Sequence, residues 1–518
     1  METEFDFNGL FVFEMANNHQ GRLDHGLNIV REMGRIAKEK EIKAAVKLQF
    51  RNLDTLIHPD HVTSPANKQI PRFLSTRLSR DEFAQLVRET RAEGMLTMAS
   101  PFDEESVGFI EELDLDAIKV ASCSAKDWPL LERIAEACKP VIFSTGGLLT
   151  SDIDKLASFF DHKGIRYAIM HCVGLYPIPD DKFHLNQIEA LARRYPNHVI
   201  GWSTHERPSD FEPVQLAFAK GARMFERHVG IETADIKLNA YSSTPDQVRK
   251  WIDAYRRAKT LCGSLSRPVP SKEEMDSLLA LERGVYCREA VDPDETIPRE
   301  KVFFALPRSE GQLASGQWKE GIVARRRIDE RMPVGVDDVT LPEDPPSQHI
   351  KSAVHEVKAL LNEAGVHLSS EFSVEYSHHY GMENFRKTGC VLIDCINREY
   401  CKKIVVQLPG QNHPLHYHKR KEETFQVLYG ILHIEIDDHH RVLSPGETVL
   451  VLPGVWHRFW TETGCVVEEV STTHFLDDSI YQDKRINKLA LEDRKTVVDH
   501  WGRFQLSASA RRKKLNSE

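Results

Sequence analysis

The sequence predicts a (β/α)₈ barrel followed by smaller, β-rich domains. Between residue 11 and about residue 261, short apolar runs alternate with amphipathic segments of helical spacing. Eight such runs within roughly 250 residues are the signature of a closed parallel barrel. An open doubly wound sheet is the alternative, but no GxGxxG follows the first strand candidate. The 518 residues exceed one ordinary hydrophobic core, so several domains are expected.

The strand candidates, in order, are FVFEM, AAVKLQF, MLTMASPF, AIKVAS, VIFSTGG, YAIMHC, HVIGWS and RMFERH. Helical patterns occur between them, among others at 27–38, 81–93, 128–138, 185–194 and 211–220. Active sites of this fold lie at the C-terminal ends of the strands. Polar residues follow each candidate, which favours a shared site over isolated surface residues. They are Glu14, Lys47, Ser100, Lys119, Ser122, Ser144, Tyr176, Ser203, His205 and His228.

His205 and His228 follow two strand candidates that one helix joins, so the strands are parallel neighbours with their ends at the same rim. Imidazole nitrogen suits a borderline divalent metal, and the pattern predicts a metal pair. Two unrelated polar histidines are the alternative. Lys47, Lys119 and the nearby hydroxyls form a candidate site for phosphate or carboxylate oxygens.

Composition excludes several classes of protein. Formal net charge is −10 and the pI is about 6.2, so we expect no nucleic-acid or anionic-membrane partner, despite the basic ending ARRKKLNSE. No run reaches the ~18 apolar residues of a membrane span. The beginning lacks the basic and apolar regions of a signal peptide. The nine cysteines form no CxxC pair, which predicts reduced thiols in a cytoplasmic protein.

Several ordered motifs resemble those of the N-acetylneuraminate (sialic acid) synthase family over roughly residues 10–342. They are EMANNHQG, AVKLQF, ASPFDEESV, IKVASCSAKDWPLL, KPVIFSTGG, HCVGLYPIP, GWSTHE and ERHVG. The resemblance implies condensation of phosphoenolpyruvate with an aldose such as N-acetylmannosamine, or its 6-phosphate, to a 3-deoxy-2-keto sugar acid with release of phosphate.

The resemblance also implies roles for individual residues. His205 and His228 match the two metal ligands, with Mn²⁺ the usual ion and Mg²⁺ an alternative. Positions that hold the phosphate and carboxylate of phosphoenolpyruvate match Lys47, Lys119, Ser122, Ser144 and Ser203. Glu14 matches an acidic residue that orients a metal-bound water or an acceptor hydroxyl. Tyr176 matches the tyrosine beside the acceptor.

Three departures from the family pattern lie on the acceptor side. Cys123 and Ser124 replace a Gly-Glu pair whose glutamate contacts the amino sugar, and Gly174 replaces a polar residue. The Asp-His pair after the eighth strand is missing, which leaves Asn239 as the nearest polar substitute. The donor half of the site is retained, and we therefore expect phosphoenolpyruvate chemistry on a different aldose.

The segment GVYCREAVDPDETIPREKVFFALPRSEG resembles the antifreeze-protein-like (SAF) domain that follows the barrel in this family. In the family, this domain covers the partner subunit's active site in a domain-swapped homodimer, and an arginine reaches the acceptor. Arg308 is the candidate for that arginine, and a solvated surface arginine is the alternative.

A second signature lies near the C-terminus. Gly410, His416, His418, Glu423 and Gly430 fit G(X)₅HXH(X)₄E(X)₆G, and Gly446, Gly454 and His457 fit most of the partner motif. The pattern resembles a cupin, a small all-β jelly-roll domain. HXH places two side chains on one face of a strand. With Glu423 and His457, they form a candidate site for Zn²⁺, Fe²⁺, Mn²⁺ or Ni²⁺. A metal-free cupin used for packing is the alternative.

These patterns predict five regions. They are a barrel synthase domain at 1–265, the antifreeze-protein-like domain at 281–342, a linker with a helix at 343–400, the cupin at 401–475 and a charged, helical tail at 476–518. The leading function is a phosphoenolpyruvate-dependent sugar-acid synthase. The cupin is either a second catalyst or a sensor or dimerisation module. The alternatives for the whole chain are a cupin-based sugar isomerase or epimerase, or a sugar-binding module, with a degenerate barrel.

Overall fold

The computed structural model describes residues 5–62, 67–343, 346–368, 372–475 and 477–499. The chain divides into two compact units, Met1–Val269 and Pro270–Glu518. Within the described ranges, every helix is too short or too polar to cross a lipid bilayer. All nine cysteines are free thiols.

The first unit is a closed barrel of eight parallel strands, each paired with the next and the last with the first. This confirms the predicted fold class. The strands are β1 Phe11–Glu14, β2 Ala44–Phe50, β3 Leu96–Pro101, β4 Ala117–Val120, β5 Val141–Ser144, β6 Tyr167–Cys172, β7 Ile200–Thr204 and β8 Met224–His228.

Helices surround the barrel strands, because their apolar faces pack on the outer side chains of the sheet. They are α1 Leu23–Glu39, α2 Leu53–Leu56, α3 Gln69–Ser75, α4 Arg80–Ala92, α5 Glu104–Glu112, α6 Trp128–Glu136, α7 Thr150–His162, α8 Asn186–Arg194, α9 Glu212–Ala219 and α10 Pro245–Cys262. A smaller apolar cluster, which includes Val12, Met98, Met170 and Met224, fills the interior of the barrel. The polar residues at the C-terminal strand ends therefore lie above a packed apolar layer inside the barrel.

The second unit begins with α11 Lys272–Leu279 and two short antiparallel pairs around a buried core that includes Val285, Ile297 and Val334. The strands are β9 Gly284–Cys287, β10 Val302–Ala305, β11 Val323–Ala324 and β12 Val339–Thr340. Its relationship to an antifreeze-protein-like domain stays a prediction.

Helix α12, Pro346–Glu363, follows and packs its apolar face on a seven-stranded antiparallel sheet. A five-stranded sheet faces the same domain core. The strands are β13 Ser373–Ser377, β14 Cys390–Asn397, β15 Tyr400–Gln407, β16 His416–His418, β17 Glu423–Gly430, β18 Leu432–Ile436, β19 His439–Leu443, β20 Thr448–Val451, β21 His457–Trp460, β22 Cys465–Thr472, β23 Ser479–Tyr481 and β24 Lys495–Asp499. These all-β sheets are those of a cupin, as predicted.

Two predicted boundaries differ from the structure. Strands β13 and β14 belong to the seven-stranded sheet, although the sequence placed them in the linker at 343–400. The tail is also not simply helical between 477 and 499. Its helical parts are a 3₁₀ turn, Ile486–Lys488, and one α-helical turn, α13 Leu491–Arg494, and β24 then pairs with β13. The Thr-Val-Val run of β24 favours a strand, but it is short and flanked by charged residues, so the sequence pattern did not indicate it. Residues 500–518 of the predicted tail lie outside the described residues.

Candidate active site and candidate metal centre

The polar strand ends of the barrel meet at one rim around an open cleft of about 960 Å³. Strand register explains part of this arrangement, because Glu14 on β1 lies opposite Lys47 on β2 and His228 on β8. The structure thus brings together most of the predicted barrel residues. The cleft is lined, among others, by Glu14, Lys47, Lys119, Ser122, Ser144, Tyr176, Ser203, His205 and His228.

The two lysines share a buried carboxylate, Glu226. Lys47 Nζ lies 2.5 Å from Glu226 Oε1 and 2.5 Å from Glu14 Oε2, and Lys119 Nζ lies 3.2 Å from Glu226 Oε2. Lys119 also donates to Ser144 Oγ at 2.6 Å. Burial opposes the ionised form of Glu226, but Lys119 and Lys47 outweigh it and hold the pKa of the carboxyl well below its usual range. The cluster is therefore a preassembled set of cationic donors with its own internal counterion.

Glu226 was not among the predicted site residues. Side chains two positions apart in a strand point to the same side, so Glu226 shares the inner face of β8 with His228. Ser203 Oγ donates to Glu226 Oε1 at 3.3 Å. The alternation of side chains along β8 was the sequence signal that could have placed Glu226 in the site. A buried glutamate is costly without charged partners, and the two lysines supply them.

The histidine pair is suited to hold a divalent cation. The imidazole rings of His205 and His228 lie 5.3 Å apart between centroids. Burial lowers the pKa of His205 to about 4 and the pKa of His228 well below its usual value, so both rings are neutral and keep a lone pair. His205 Nδ1 lies 3.0 Å from the Val173 carbonyl oxygen, which leaves its Nε2 free. His228 Nδ1 is buried and has no hydrogen-bond partner among the described residues.

Aromatic rings border this pair. The Tyr176 ring lies 3.9 Å from that of His205, and the Tyr241 ring lies 5.1 Å from those of both His228 and Tyr176. Asn239, the predicted polar substitute, is not among the residues that line the cleft. Its Oδ1 instead accepts a hydrogen bond from the Tyr241 backbone N–H at 3.1 Å. The segment after β8 therefore contributes a phenol to the cleft rather than an amide, which the sequence did not indicate.

Two further predicted residues have identifiable local partners. Ser122 Oγ accepts a hydrogen bond from the Gly146 N–H at 3.1 Å, so it joins two adjacent strand ends. Arg308 lies in the second unit, where it is ion-paired with Glu282 and donates from Nε to the Gln312 carbonyl at 2.9 Å. Its action in a partner subunit's site stays a prediction.

The cupin brings its four predicted ligands into one buried cluster. One ligand atom from each of His416, His418, Glu423 and His457 lies within 4.8 Å of the others. His416 and His418 share a face of β16, and His416 lies opposite His457 on β21. Glu423 begins β17, and its Oε1 lies 2.8 Å from His457 Nε2. Three imidazoles and a carboxylate are a suitable ligand set for a transition metal.

Outer hydrogen bonds fix how these imidazoles are turned. His416 Nδ1 lies 3.0 Å from the Pro414 carbonyl oxygen, and His457 Nδ1 lies 3.1 Å from that of Val455. Such partners hold the proton on Nδ1 and leave Nε2 as the ligand atom, as is typical of metal-binding histidines. Burial lowers the pKa of His416 well below its usual value, so the ring is neutral.

Comparisons with known proteins agree with this architecture. The NeuB family model matches residues 35–267, and the cupin domain model matches residues 403–468. A crystal structure of a Chromobacterium violaceum protein assigned to spore coat polysaccharide biosynthesis (protein E) is 43% identical, with a TM-score of 0.62. The match covers 64% of this chain and 100% of that chain.

Curated relatives indicate the class of enzyme. N-acetylneuraminate-9-phosphate synthase of Drosophila melanogaster is 27% identical over 294 residues, which cover 56% of this chain and 77% of that protein. Pseudaminic acid synthase of Campylobacter jejuni subsp. jejuni is 26% identical over 309 residues, which cover 57% and 86%. The barrel and these matches define a relative of sialic acid synthase-type enzymes. The chain belongs to the NeuB family and carries a C-terminal cupin domain.

Proposed function

We propose that the barrel condenses phosphoenolpyruvate with an aldose to give a 3-deoxy-2-keto sugar acid and inorganic phosphate. The observation that carries the proposal is the Lys47–Glu226–Lys119 cluster beside the histidine pair at one rim. Two ammonium groups match the two anionic groups of phosphoenolpyruvate. Relatives named as synthases of sialic and pseudaminic acids support the reaction class.

In the proposed reaction, C3 of phosphoenolpyruvate forms a bond to the aldehyde carbon, and the aldehyde oxygen takes up a proton. Water then adds at C2 of the former enol, and the resulting tetrahedral centre expels phosphate. Lys47 and Lys119 hold the phosphate and carboxylate, and stabilise the negative charge that grows on the departing phosphate. Ser144 and Ser203 complete this donor set through their contacts with Lys119 and Glu226.

His205 and His228 would hold a divalent cation, Mn²⁺ or Mg²⁺, whose contribution is to polarise the aldehyde oxygen of the acceptor. Tyr176 and Tyr241 border the histidines and are placed to pack against the acceptor. Glu14 contacts Lys47 and accepts from Gln49 Nε2 at 3.3 Å, which fixes its orientation for an acceptor hydroxyl. The chain lacks the Gly-Glu and Asp-His pairs of the family pattern, and Tyr241 borders the histidines instead. These differences favour an aldose other than N-acetylmannosamine.

For the cupin, we infer a second divalent metal site at His416, His418, Glu423 and His457. The convergent ligand atoms support this role. The end of the barrel domain at residue 265, the antifreeze-protein-like domain at 281–342, a domain-swapped homodimer and the contact of Arg308 with a partner's acceptor site remain proposals based on the family resemblance.

The test is phosphate release from phosphoenolpyruvate by the metal-loaded protein with a panel of neutral and phosphorylated aldoses. The proposal expects release that depends on one class of aldose, and a product of matching mass. No release with any member of a broad panel, or equal release without an aldose, contradicts it.

A further inference from the structure

Two arginines at the mouth of the barrel cleft have no ion-pair partner in the described chain. Arg51 directly follows β2, Arg72 lies on α3, and both line the cleft. Arg51 donates from Nη2 to Gln49 Oε1 at 2.7 Å, and neither guanidinium contacts a carboxylate of the described residues. The barrel lysines, in contrast, already share Glu226 as their counterion. The two guanidinium groups are thus the cationic groups of the cleft that remain available to a ligand.

Aromatic rings hold the Arg51 guanidinium in place. Its central carbon, Cζ, lies 4.2 Å from the centre of the Phe73 ring and 3.9 Å from the centre of the Phe102 ring. Such rings attract a cation, but most of its five N–H donors have no acceptor among the described residues. Burial lowers the pKa of Arg51 to about 10, so the group is still charged at neutral pH. The side chain is therefore a preoriented cation with unused donors.

An acidic side chain, Asp103, attracts Arg51 at longer range but forms no ion pair with it. Its Oδ1 accepts a hydrogen bond from the Ser106 N–H at 2.8 Å, and its Oδ2 accepts one from the Asn52 N–H at 2.8 Å. Both oxygens are thus engaged by the backbone. A partly buried charge without a paired group is costly, and a bound anion offsets that cost.

Arg51 lies closer to the rim of the barrel than the two lysines. Lys47, Gln49 and Arg51 are two positions apart along the chain, so their side chains share the inner face and line the cleft. Four residues of extended chain place Arg51 about 13 Å beyond Lys47 in the direction of the rim. Phe102, which contacts Arg51, follows β3, and β3 lies across the eight-stranded ring from β7, which His205 follows. A ligand whose reacting end lies at the histidines therefore extends across the cleft toward Arg51.

We propose that Arg51, with Arg72 nearby, binds an anionic group at the end of the acceptor aldose that lies away from the aldehyde. The group is a phosphate monoester or a carboxylate, because a guanidinium fork bonds the oxygens of either. The inference rests on the condensation proposed above and narrows its acceptor to sugar phosphates and uronic acids. The cleft volume of about 960 Å³ accommodates such an acceptor together with phosphoenolpyruvate.

Two other occupants suit Arg51 less well. A neutral aldose offers only hydroxyl groups, whose hydrogen bonds to an arginine are weaker than those of an anion. The anionic groups of phosphoenolpyruvate are matched by Lys47 and Lys119, which are more deeply buried in the cleft. An anion on the acceptor accounts for the two arginines that line the cleft in addition to these lysines.

The first experiment measures binding with acceptor analogues that cannot condense, because their aldehyde is reduced to an alcohol. Sorbitol, sorbitol 6-phosphate and L-gulonate are the reduced forms of glucose, glucose 6-phosphate and glucuronate. Each is titrated calorimetrically into the full chain saturated with phosphoenolpyruvate and Mn²⁺. We expect at least one anionic analogue to bind about tenfold or more tightly than sorbitol, and the preferred analogue distinguishes phosphate from carboxylate. Equal binding of all three, or no binding of either anion up to about 10 mM, overturns the proposal.

Arg51→Met removes the guanidinium and keeps an unbranched apolar side chain against the aromatic rings. The variant should bind the preferred anionic analogue about tenfold or more weakly, with unchanged affinity for sorbitol and phosphoenolpyruvate. Arg257→Met, at an exposed arginine of α10, is the matched control and should behave as the parent. Unchanged affinity for the anion in a folded Arg51→Met protein contradicts the assignment, and so does a loss of affinity for phosphoenolpyruvate alone.

A second variant, Arg51→Lys, keeps the charge and provides the test if Arg51→Met does not fold. Its ammonium group lacks the planar fork, so the affinity for the anionic analogue should fall by about threefold. Parent-like affinity for that analogue in Arg51→Lys contradicts a bidentate contact.

Turnover distinguishes this inference from the proposed reaction. Phosphate release from phosphoenolpyruvate is measured with glucose, glucose 6-phosphate and glucuronate and with the corresponding mannose series. Anion binding through Arg51 without release by any aldose supports the anion site and rejects the condensation. Release with neutral aldoses that is at least as fast as with their charged counterparts, in parent and Arg51→Met alike, supports the condensation and rejects the anionic acceptor.

Discussion

The barrel cleft and the cupin cavity both contain lysine, glutamate and histidine, but the glutamate has different partners in the two sites. In the barrel, Glu226 contacts two lysines, and the histidine pair stands beside that cluster. In the cupin, Glu423 contacts both an imidazole and a lysine, so the carboxylate and the histidines form one cluster that could hold a metal ion. The difference between the two sites is therefore which side chains the buried glutamate contacts, and this determines which ligand each site suits. Under the functions proposed above, the barrel cluster holds an anionic substrate through its ammonium groups, and the cupin cluster holds a metal ion.

Lys119→Met tests the barrel half of this comparison and has the largest expected effect. Removing a buried ammonium group from the anion site should lower kcat/KM for phosphoenolpyruvate by about 10³-fold. Phosphate release gives the rate, and metal analysis should show unchanged cupin metal. The exposed Lys163 provides the matched control, since Lys163→Met should retain full activity. If the Lys119→Met variant keeps activity within a factor of two of the parent, Lys119 is not required for the reaction.

Glu226→Gln tests whether the glutamate is the counterion of both lysines. The change leaves two buried ammonium groups without their shared partner, and we expect the free energy of unfolding to fall by about 3 kcal/mol. Equilibrium denaturation measures this, with Glu136→Gln at an exposed position as the control. Equal stability of the two variants would show that the lysines do not depend on Glu226.

His416→Ala addresses the cupin half. Losing one of four ligands should weaken divalent-metal binding by about 100-fold or more, while phosphate release by the barrel continues. Metal content after dialysis and the phosphate assay provide the two readouts. His439→Ala, at an exposed histidine of the same domain, should retain the metal. Loss of barrel turnover in His416→Ala, with the fold intact, would show that the two sites are coupled.

Alkaline pH should affect the barrel through Lys47. Burial, opposed by Glu226 and assisted by Lys119, lowers the pKa of Lys47 to about 8. The protonated form binds the anion, so kcat/KM should be constant below this pH and fall about tenfold per unit above it. Lys47→Arg stays charged and should move that decline to higher pH. A profile that is identical in parent and variant would assign the decline to another group.

The smallest expected effect distinguishes Tyr241 from Asn239. Tyr241→Ala should raise the KM for the aldose by roughly tenfold, because the ring borders both Tyr176 and His228. Asn239→Ala removes only a hydrogen bond to the Tyr241 N–H and should cost about 1 kcal/mol of stability or less. A larger KM effect at Asn239 would reverse this assignment.

The sequence predicted the barrel because alternating strand and helix patterns, with polar strand ends, are local signals. The clustering of the cupin residues was also predictable, since His416 and His418 share a strand face and Glu423 follows at short spacing. Glu226 and Tyr241 were missed for different reasons. Glu226 required knowing which side of β8 faces inward, and the position of Tyr241 depends on a loop whose path only the fold determines. Strand β24 was missed because charged neighbours masked its short β-branched run.

The most direct test of the proposed carbon–carbon bond formation traces isotope labels in the carbon of phosphoenolpyruvate and in the oxygen of water. The metal-loaded protein is supplied with an active aldose and ¹³C₃-labelled phosphoenolpyruvate in ¹⁸O-labelled water, and the products are analysed by mass spectrometry. The account predicts that all three labelled carbons appear in a 3-deoxy-2-keto sugar acid and that the released phosphate carries no ¹⁸O. Labelled pyruvate with ¹⁸O-containing phosphate would instead show hydrolysis at phosphorus and contradict a carbon–carbon bond-forming role for the barrel.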